Sequence, residues 1–273
     1  LFDGRRLERC PTCDLVFMAE PPTEAELAEL NARYWTIAQT HSFLAERVHR
    51  AQMLARVEYL EQRLPSLRNS RVLDVGSGYG MLGRVLAARG HEVAYHAIES
   101  DPQCNERLRK NGAKSVSRRL EDSHEPDLDL VILSHVLEHV AEPRAFLGLV
   151  RGMLAPSGAL FIEVPNQDFR HKQSMGTHLL FFSPKSLGLL LEGTGFTVEH
   201  LATVGPPLSA LEAARAARSS SGRVGRIGAE MATRARLALS TRASLRERLQ
   251  VAAYGEARQW IRCLARPDAS AAR

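Results

Sequence analysis

Apolar positions along this chain follow two alternating periods. From Ser42 to Leu64, Phe43, Leu44, Val48, Met53, Leu54, Val57 and Leu60 recur at roughly helical spacing, with arginine and glutamate between them. That pattern predicts an amphipathic helix covering a core, stopped by Pro65. From residue 71 onward, short apolar runs alternate with helical stretches. Strands are predicted over 71–75, 92–98, 114–117, 128–134 and 158–164, and helices over 80–89, 102–110, 143–153 and 184–192. The run "FTVEHLATV" (196–204) is a sixth strand, and "RQWIRCLAR" (258–266) returns as a seventh after a Pro-Pro break and a long Ala/Arg-rich helical insert. Such alternation builds βαβ units, and hence an α/β fold with a mostly parallel sheet and helices on both faces.

The same reading divides the chain into a short N-terminal segment (1–20), a helical cover (21–66), a ligand-binding core (67–206), the helical insert (207–256), and the last strand with its tail (257–273). In the cover, "PPTEAELAEL" starts a helix, with Thr23 and Glu26 spaced as a capping box. The insert suits a lid or a dimer surface, and "SSSG" at 219–222 reads as a joint within it.

Candidate chemistry begins at "RVLDVGSGYG" (71–80), where Gly76, Gly78 and Gly80 follow directly on a strand. Glycine there lets the chain turn sharply and lie against a bound molecule beyond the strand ends. The spacing is not the dinucleotide G-x-G-x-x-G, and no lysine follows as in a phosphate loop. Asp74 before the loop suits a ligand with an amino group. Glu99, ending the next strand with Ser100 beside it, suits a ribose diol. An ammonium, a ribose and no phosphate together describe S-adenosylmethionine. Across the expected pocket mouth, His135 and His139 flank Glu138, and His178 follows the fifth strand. Histidine can take the proton from a hydroxyl acceptor. The same side chains could instead tie the loop to the sheet or hold a divalent metal.

The motifs "LDVGSGYG", "IESD", "DLVILSHVLEHVAEP", "LAPSGALFIEVPN" and "HLLFFSPKSLGLLLEGTGF" occur in that order over about residues 70–204. Together they resemble the class I S-adenosylmethionine-dependent methyltransferases, in the branch that includes the ubiquinone-biosynthesis O-methyltransferase. The resemblance implies a Rossmann-like seven-stranded sheet. It implies that Asp74, Gly76, Ser77 and Gly78 face the methionine part of the cofactor and Glu99 the ribose. Leu120 and Glu121 would lie by the adenine, and Ser134 and His135 beneath the sulfonium. The opening "RCPTCDLVF" resembles the second half of the zinc ribbon that precedes some methyltransferases of sugars and natural products. Cys10 and Cys13 would then be metal ligands, with the other pair missing. The acceptor implied is a small molecule, sugar or natural-product intermediate, methylated at a hydroxyl.

Composition narrows this only at the edges. Hydrophobic content of 44% and charged content of 25% are those of an ordinary globular protein. Four cysteines in 273 residues argue against a disulfide scaffold. No apolar run approaches the ~18 residues of a membrane span, and no signal segment opens the chain, so the cytoplasm is the expected location. Leu1 stands where a methionine would start a chain, which leaves room for sequence upstream. Residues 212–273 carry 13 arginines against 5 acids, a local excess of +8 within a net charge of +5. The excess marks a solvated helical surface or a surface for nucleic acid, an anionic membrane or an acidic substrate. Tyr254 and Trp260 are the only aromatics after residue 205, few for base stacking. An RNA-modifying methyltransferase, or a nucleic-acid-binding protein on a retained methyltransferase fold, is the alternative reading.

Overall fold

The computed structural model describes residues 4–23, 25–27, 29, 43–172, 177–220 and 257–268. Its main sheet runs through β3 (Arg71–Val75), β4 (Ala94–Ile98), β5 (Ser115–Ser117), β6 (Leu128–Ser134), β7 (Leu154–Pro165), β9 (Phe196–Pro207) and β10 (Arg258–Pro267). The spatial order is β5-β4-β3-β6-β7-β10-β9. The pairs from β5 through β7 are parallel, and β10 lies antiparallel between β7 and β9. This is the expected seven-stranded, mostly parallel, Rossmann-like sheet. The central strands are buried on both faces and read as apolar runs, "LVIL" unbroken and "VLDV" interrupted only by Asp74, because helices cover each side.

Helix α1 (Phe43–Glu61) is the predicted cover. It packs Met53, Val57 and Leu60 against Leu82 and Leu86 of α2 (Met81–Ala88) and against Val72 and Phe161 of the sheet. Full burial of each such side chain contributes about 1.5–3 kcal/mol. The end of α1 is tied to the turn after α2, where Arg89 Nη2 donates to Glu61 Oε2 at 2.6 Å. Further helices among the described residues are α3 (Asn105–Lys110), α4 (Pro143–Met153), α5 (Pro184–Glu192) and α6 (Leu208–Ser220). Helix α5 starts on a capping box between Ser183 and Ser186. The box expected at the N-terminus is also present: Thr23 N donates to Glu26 Oε2 at 2.7 Å and Glu26 N to Thr23 Oγ1 at 3.3 Å.

One element escaped the sequence pattern. Two three-residue strands, β1 (Leu7–Arg9) and β2 (Val16–Met18), form a hairpin that adds to β8 (Leu180–Phe181) as a second, antiparallel sheet. Runs this short carry too little alternation to be read as strands. Cys10 and Cys13 sit in the hairpin turn, where Cys10 N donates to Leu15 O and Asp14 N to Cys10 O. Cys104 and Cys263 are buried in the main domain. Of the predicted insert, α6 is described and runs through Ser219 and Ser220, whereas residues 221–256 lie outside the described residues, as do 30–42 of the cover.

Candidate functional site

Because the parallel strands all end on one side of the sheet, the loops after β3, β4, β6 and β7 converge there. They surround a cleft of about 720 Å³, closed from above by His49, Gln52, Met53 and Arg56 of α1. Asp74, Gly76, Ser77, Gly78, Glu99 and Ser100 line one half, and Ser134, His135, His139 and His178 the other.

The glycine loop has the geometry its sequence predicts. Gly76, Gly78 and Gly80 all have positive φ, at 70°, 53° and 74°, which side chains rarely tolerate. A Cβ on Gly76 would come within 2.9 Å of Val136 Cγ2. Gly80 turns the chain into α2, against Leu108 and Asn111 rather than the cleft. On either side of this bare backbone stand two buried carboxylates. Asp74 Oδ2 accepts from the Tyr95 hydroxyl at 2.6 Å, and burial pushes its carboxyl up to about 7. Glu99 Oε2 accepts from Gly78 N at 2.7 Å and Oε1 from Asp101 N at 3.0 Å. A cradle without side chains between two carboxylates fits an adenosyl amino acid. Leu120 and Glu121 follow β5 in a short helical turn; Leu120 is packed in the core, Glu121 is exposed, and neither lines the cleft.

The histidines are brought together, but not on one helical face. Residues 137–139 form the turn, while His135 precedes it in the left-handed region with φ 57°. His135 Nδ1 meets Glu138 Oε1 at 3.2 Å, and Nε2 lies 3.4 Å from Glu163 Oε1. Burial works against its protonation, yet these hydrogen bonds hold His135 above the usual histidine range. His139 Nδ1 donates to the Thr177 carbonyl at 2.8 Å, and burial lowers its basicity, partly countered by Glu138. His178 is buried, with its ring edge-on to His139 at 4.8 Å between centroids. Ligand atoms of Glu138, His139 and His178 lie within 4.8 Å of one another, a set of donors suited to a divalent cation.

Sequence reasoning missed the floor beneath them. Glu163 of β7 faces Arg262 of β10 in register and bonds it, while Arg56 of α1 donates twice to Oε1, at 2.9 and 2.5 Å. Burial would raise the Glu163 carboxyl, but the two guanidiniums hold it well below the usual range. The available signal was a lone acid, "FIEVP", inside an apolar strand. The described arginines of the basic C-terminal region also bond inward: Arg215 to the carbonyls of Phe169 and Arg170, Arg258 to that of Gly205, and Arg266 to Glu199.

A family model for the methyltransferase domain matches residues 29–201. The chain belongs to this family. Among relatives of the methyltransferase domain, a ubiquinone biosynthesis O-methyltransferase of Xylella fastidiosa is 35% identical over 121 residues, covering 41% of this chain and 48% of that protein. The corresponding protein of an Azoarcus species is 27% identical over 165 residues, covering 56% and 66%. The chain thus spans about half the length of the first of these relatives. The fold is that of a Thermotoga maritima S-adenosylmethionine-dependent methyltransferase, possible histamine N-methyltransferase. That match has a TM-score of 0.55 at 16% identity and covers 90% of this chain and all of the other. Among the described residues, no helix is long and apolar enough to cross a membrane.

Proposed function

We propose that this methyltransferase domain methylates a hydroxyl group of a small molecule, with S-adenosylmethionine as methyl donor. One observation carries the reading: a bare-backbone cradle between two buried carboxylates faces a histidine cluster across a single cleft. Asp74 would meet the amino group of the donor, Gly76–Gly78 its methionine chain, and Glu99 the ribose. The bound donor supplies a methyl on a sulfonium, a good leaving group, so positioning provides much of the rate. His139 has its Nδ1 proton committed to the Thr177 carbonyl, which leaves the Nε2 lone pair free to take the acceptor's hydroxyl proton. Burial keeps that ring neutral and able to accept. Relatives named for O-methylation support an oxygen acceptor over a nitrogen.

Calorimetry with S-adenosylhomocysteine tests the donor site, and transfer of a labelled methyl from S-adenosylmethionine to a simple catechol tests the chemistry. Saturable binding and an ether product are expected; absence of binding would overturn the reading. A second reading of the same cluster rests on Glu138 Oε2, a buried oxygen with no hydrogen-bond partner among the described residues. There Glu138, His139 and His178 hold a divalent cation that binds the acceptor oxygen. Equilibrium dialysis against Mn²⁺, with and without Glu138→Gln, separates the two.

A further inference from the structure

Asp168 opens the short helical turn behind β7 and is 1% exposed. Its main chain maintains that turn, the carbonyl accepting from the amides of His171 and Lys172 at 3.1 and 2.8 Å. Its side chain caps nothing, since the N-cap position belongs to Gln167. The carboxylate instead faces two cleft-lining groups: Oδ2 lies 3.0 Å from His178 Nδ1 and 3.2 Å from Lys172 Nζ. The Asp168 Oδ2–His178 Nδ1 approach is close but off the line of a hydrogen bond, and among the described residues neither atom has a hydrogen-bond partner. The charged and titratable groups around the His178 ring are Glu138 and His139 from the turn after β6, and Asp168 and Lys172 from the turn after β7.

A buried carboxylate is costly unless it is matched, so its placement needs a reason. A neutral imidazole carries one N–H and one lone pair, and the partner of one nitrogen decides which is which. A carboxylate can only accept, so a ring with Nδ1 against Asp168 keeps its proton there. Lys172 balances the charge. His139 reaches the same tautomer by another device, a main-chain carbonyl. The two edge-to-face rings are therefore set alike by partners from different parts of the chain.

We propose that Asp168 is a positioning residue that holds His178 as its Nδ1–H tautomer, with the Nε2 lone pair presented to the acceptor end of the cleft. This deepens the methyltransferase reading and rests on it for activity, but not for the tautomer itself. The test is nitrogen NMR of the full chain with ¹⁵N-labelled histidine, at a pH where the rings are neutral. The His178 signals are assigned by their loss in His178→Gln. Wild type should show a protonated Nδ1 and a bare Nε2 at residue 178. Asp168→Ala should lose that signature, and Asp168→Glu should restore part of it. A wild-type Nε2–H ring, or a signature unchanged in Asp168→Ala, would overturn the proposal. Should Asp168→Ala not fold, the wild-type spectrum and Asp168→Glu still decide. With the catechol probe, Asp168→Ala should lower kcat by up to about 100-fold, the scale of a misplaced group at an active site, with KM for S-adenosylmethionine unchanged. A wild type that neither binds S-adenosylhomocysteine nor methylates the probe would count against the functional reading and leave the tautomer result standing. A variant as fast as an active wild type would remove the positioning role alone.

Discussion

Glu99 and Gly78 are joined by a 2.7 Å hydrogen bond from the Gly78 amide to the Glu99 carboxylate, linking the tip of β4 to the loop after β3. The bond fixes the far wall of the cradle before any ligand arrives. Removing the carboxylate should therefore loosen the loop and, on the proposed function, delete the group assigned to the ribose. Hydrogen bonds to charged groups contribute about 1.5–3 kcal/mol each, so Glu99→Ala should weaken S-adenosylhomocysteine binding by about 10- to 150-fold. Calorimetry measures this, and an unchanged Kd would remove Glu99 from the donor site.

Gly76 combines a φ of 70° with a would-be Cβ 2.9 Å from Val136 Cγ2. Both features resist a side chain. Gly76→Ala should cost about 1–3 kcal/mol of stability and abolish detectable donor binding, because the loop must move into the space it leaves open. Thermal melts and calorimetry on one preparation test both halves. A variant that binds normally would show that the cradle has slack.

With its carboxyl raised to about 7 by burial, Asp74 facing the donor's amino group, as proposed, should make donor binding depend on pH. Between the unfolded value near 3.8 and about 7 the folded chain keeps a proton that the unfolded chain has lost, so stability falls as pH rises through that window. Asp74→Asn removes this fall. Binding runs the other way: an ammonium prefers the ionised carboxylate, so affinity should increase from pH 6 to 8 and level off above. In Asp74→Asn the pH dependence should flatten. A flat profile in the wild type would mean that Asp74 does not face the amino group.

Glu163 balances Arg56 and Arg262, all three buried. Breaking such a cluster at one member leaves uncompensated charge and costs about 3–5 kcal/mol. Glu163→Gln should lower the urea midpoint accordingly. Because the Glu163 carboxyl sits well below its ordinary range, its contribution is present above the unfolded carboxylate value and is lost as pH falls through the folded one. The variant should therefore lose this part of the acid sensitivity. A midpoint within error of wild type would make the cluster neutral to stability.

Every strand of the large sheet was legible: the central ones because two-sided burial writes a nearly continuous apolar run, and the half-exposed edge strands β5 and β9 because short β-rich runs alternate with helical stretches. The glycine loop was legible for a related reason: Gly76 and Gly78 mark a turn that needs positive φ directly behind a strand. The hairpin β1–β2 was not, since its three-residue strands gain their order from β8, more than 160 residues away. Asp168, Glu163, Arg56 and Arg262 were also missed. Each carries its meaning in a partner from another element, and nothing local marks an arginine as buried. Glu138, by contrast, was seen between His135 and His139 on one helical face, but belongs more closely to His135, whose left-handed backbone lies outside the helical turn.

The insertion of β10 between β7 and β9 has a consequence for how the cleft is held together. Gln259 and Trp260 line the cleft from β10, and Arg262 of the same strand bonds Glu163 behind it. A wall of the cleft and one of the two counter-ions of Glu163 therefore ride on a single strand. Anything that frays β10 from β7 would breach that wall and strip Glu163 of Arg262 in one event.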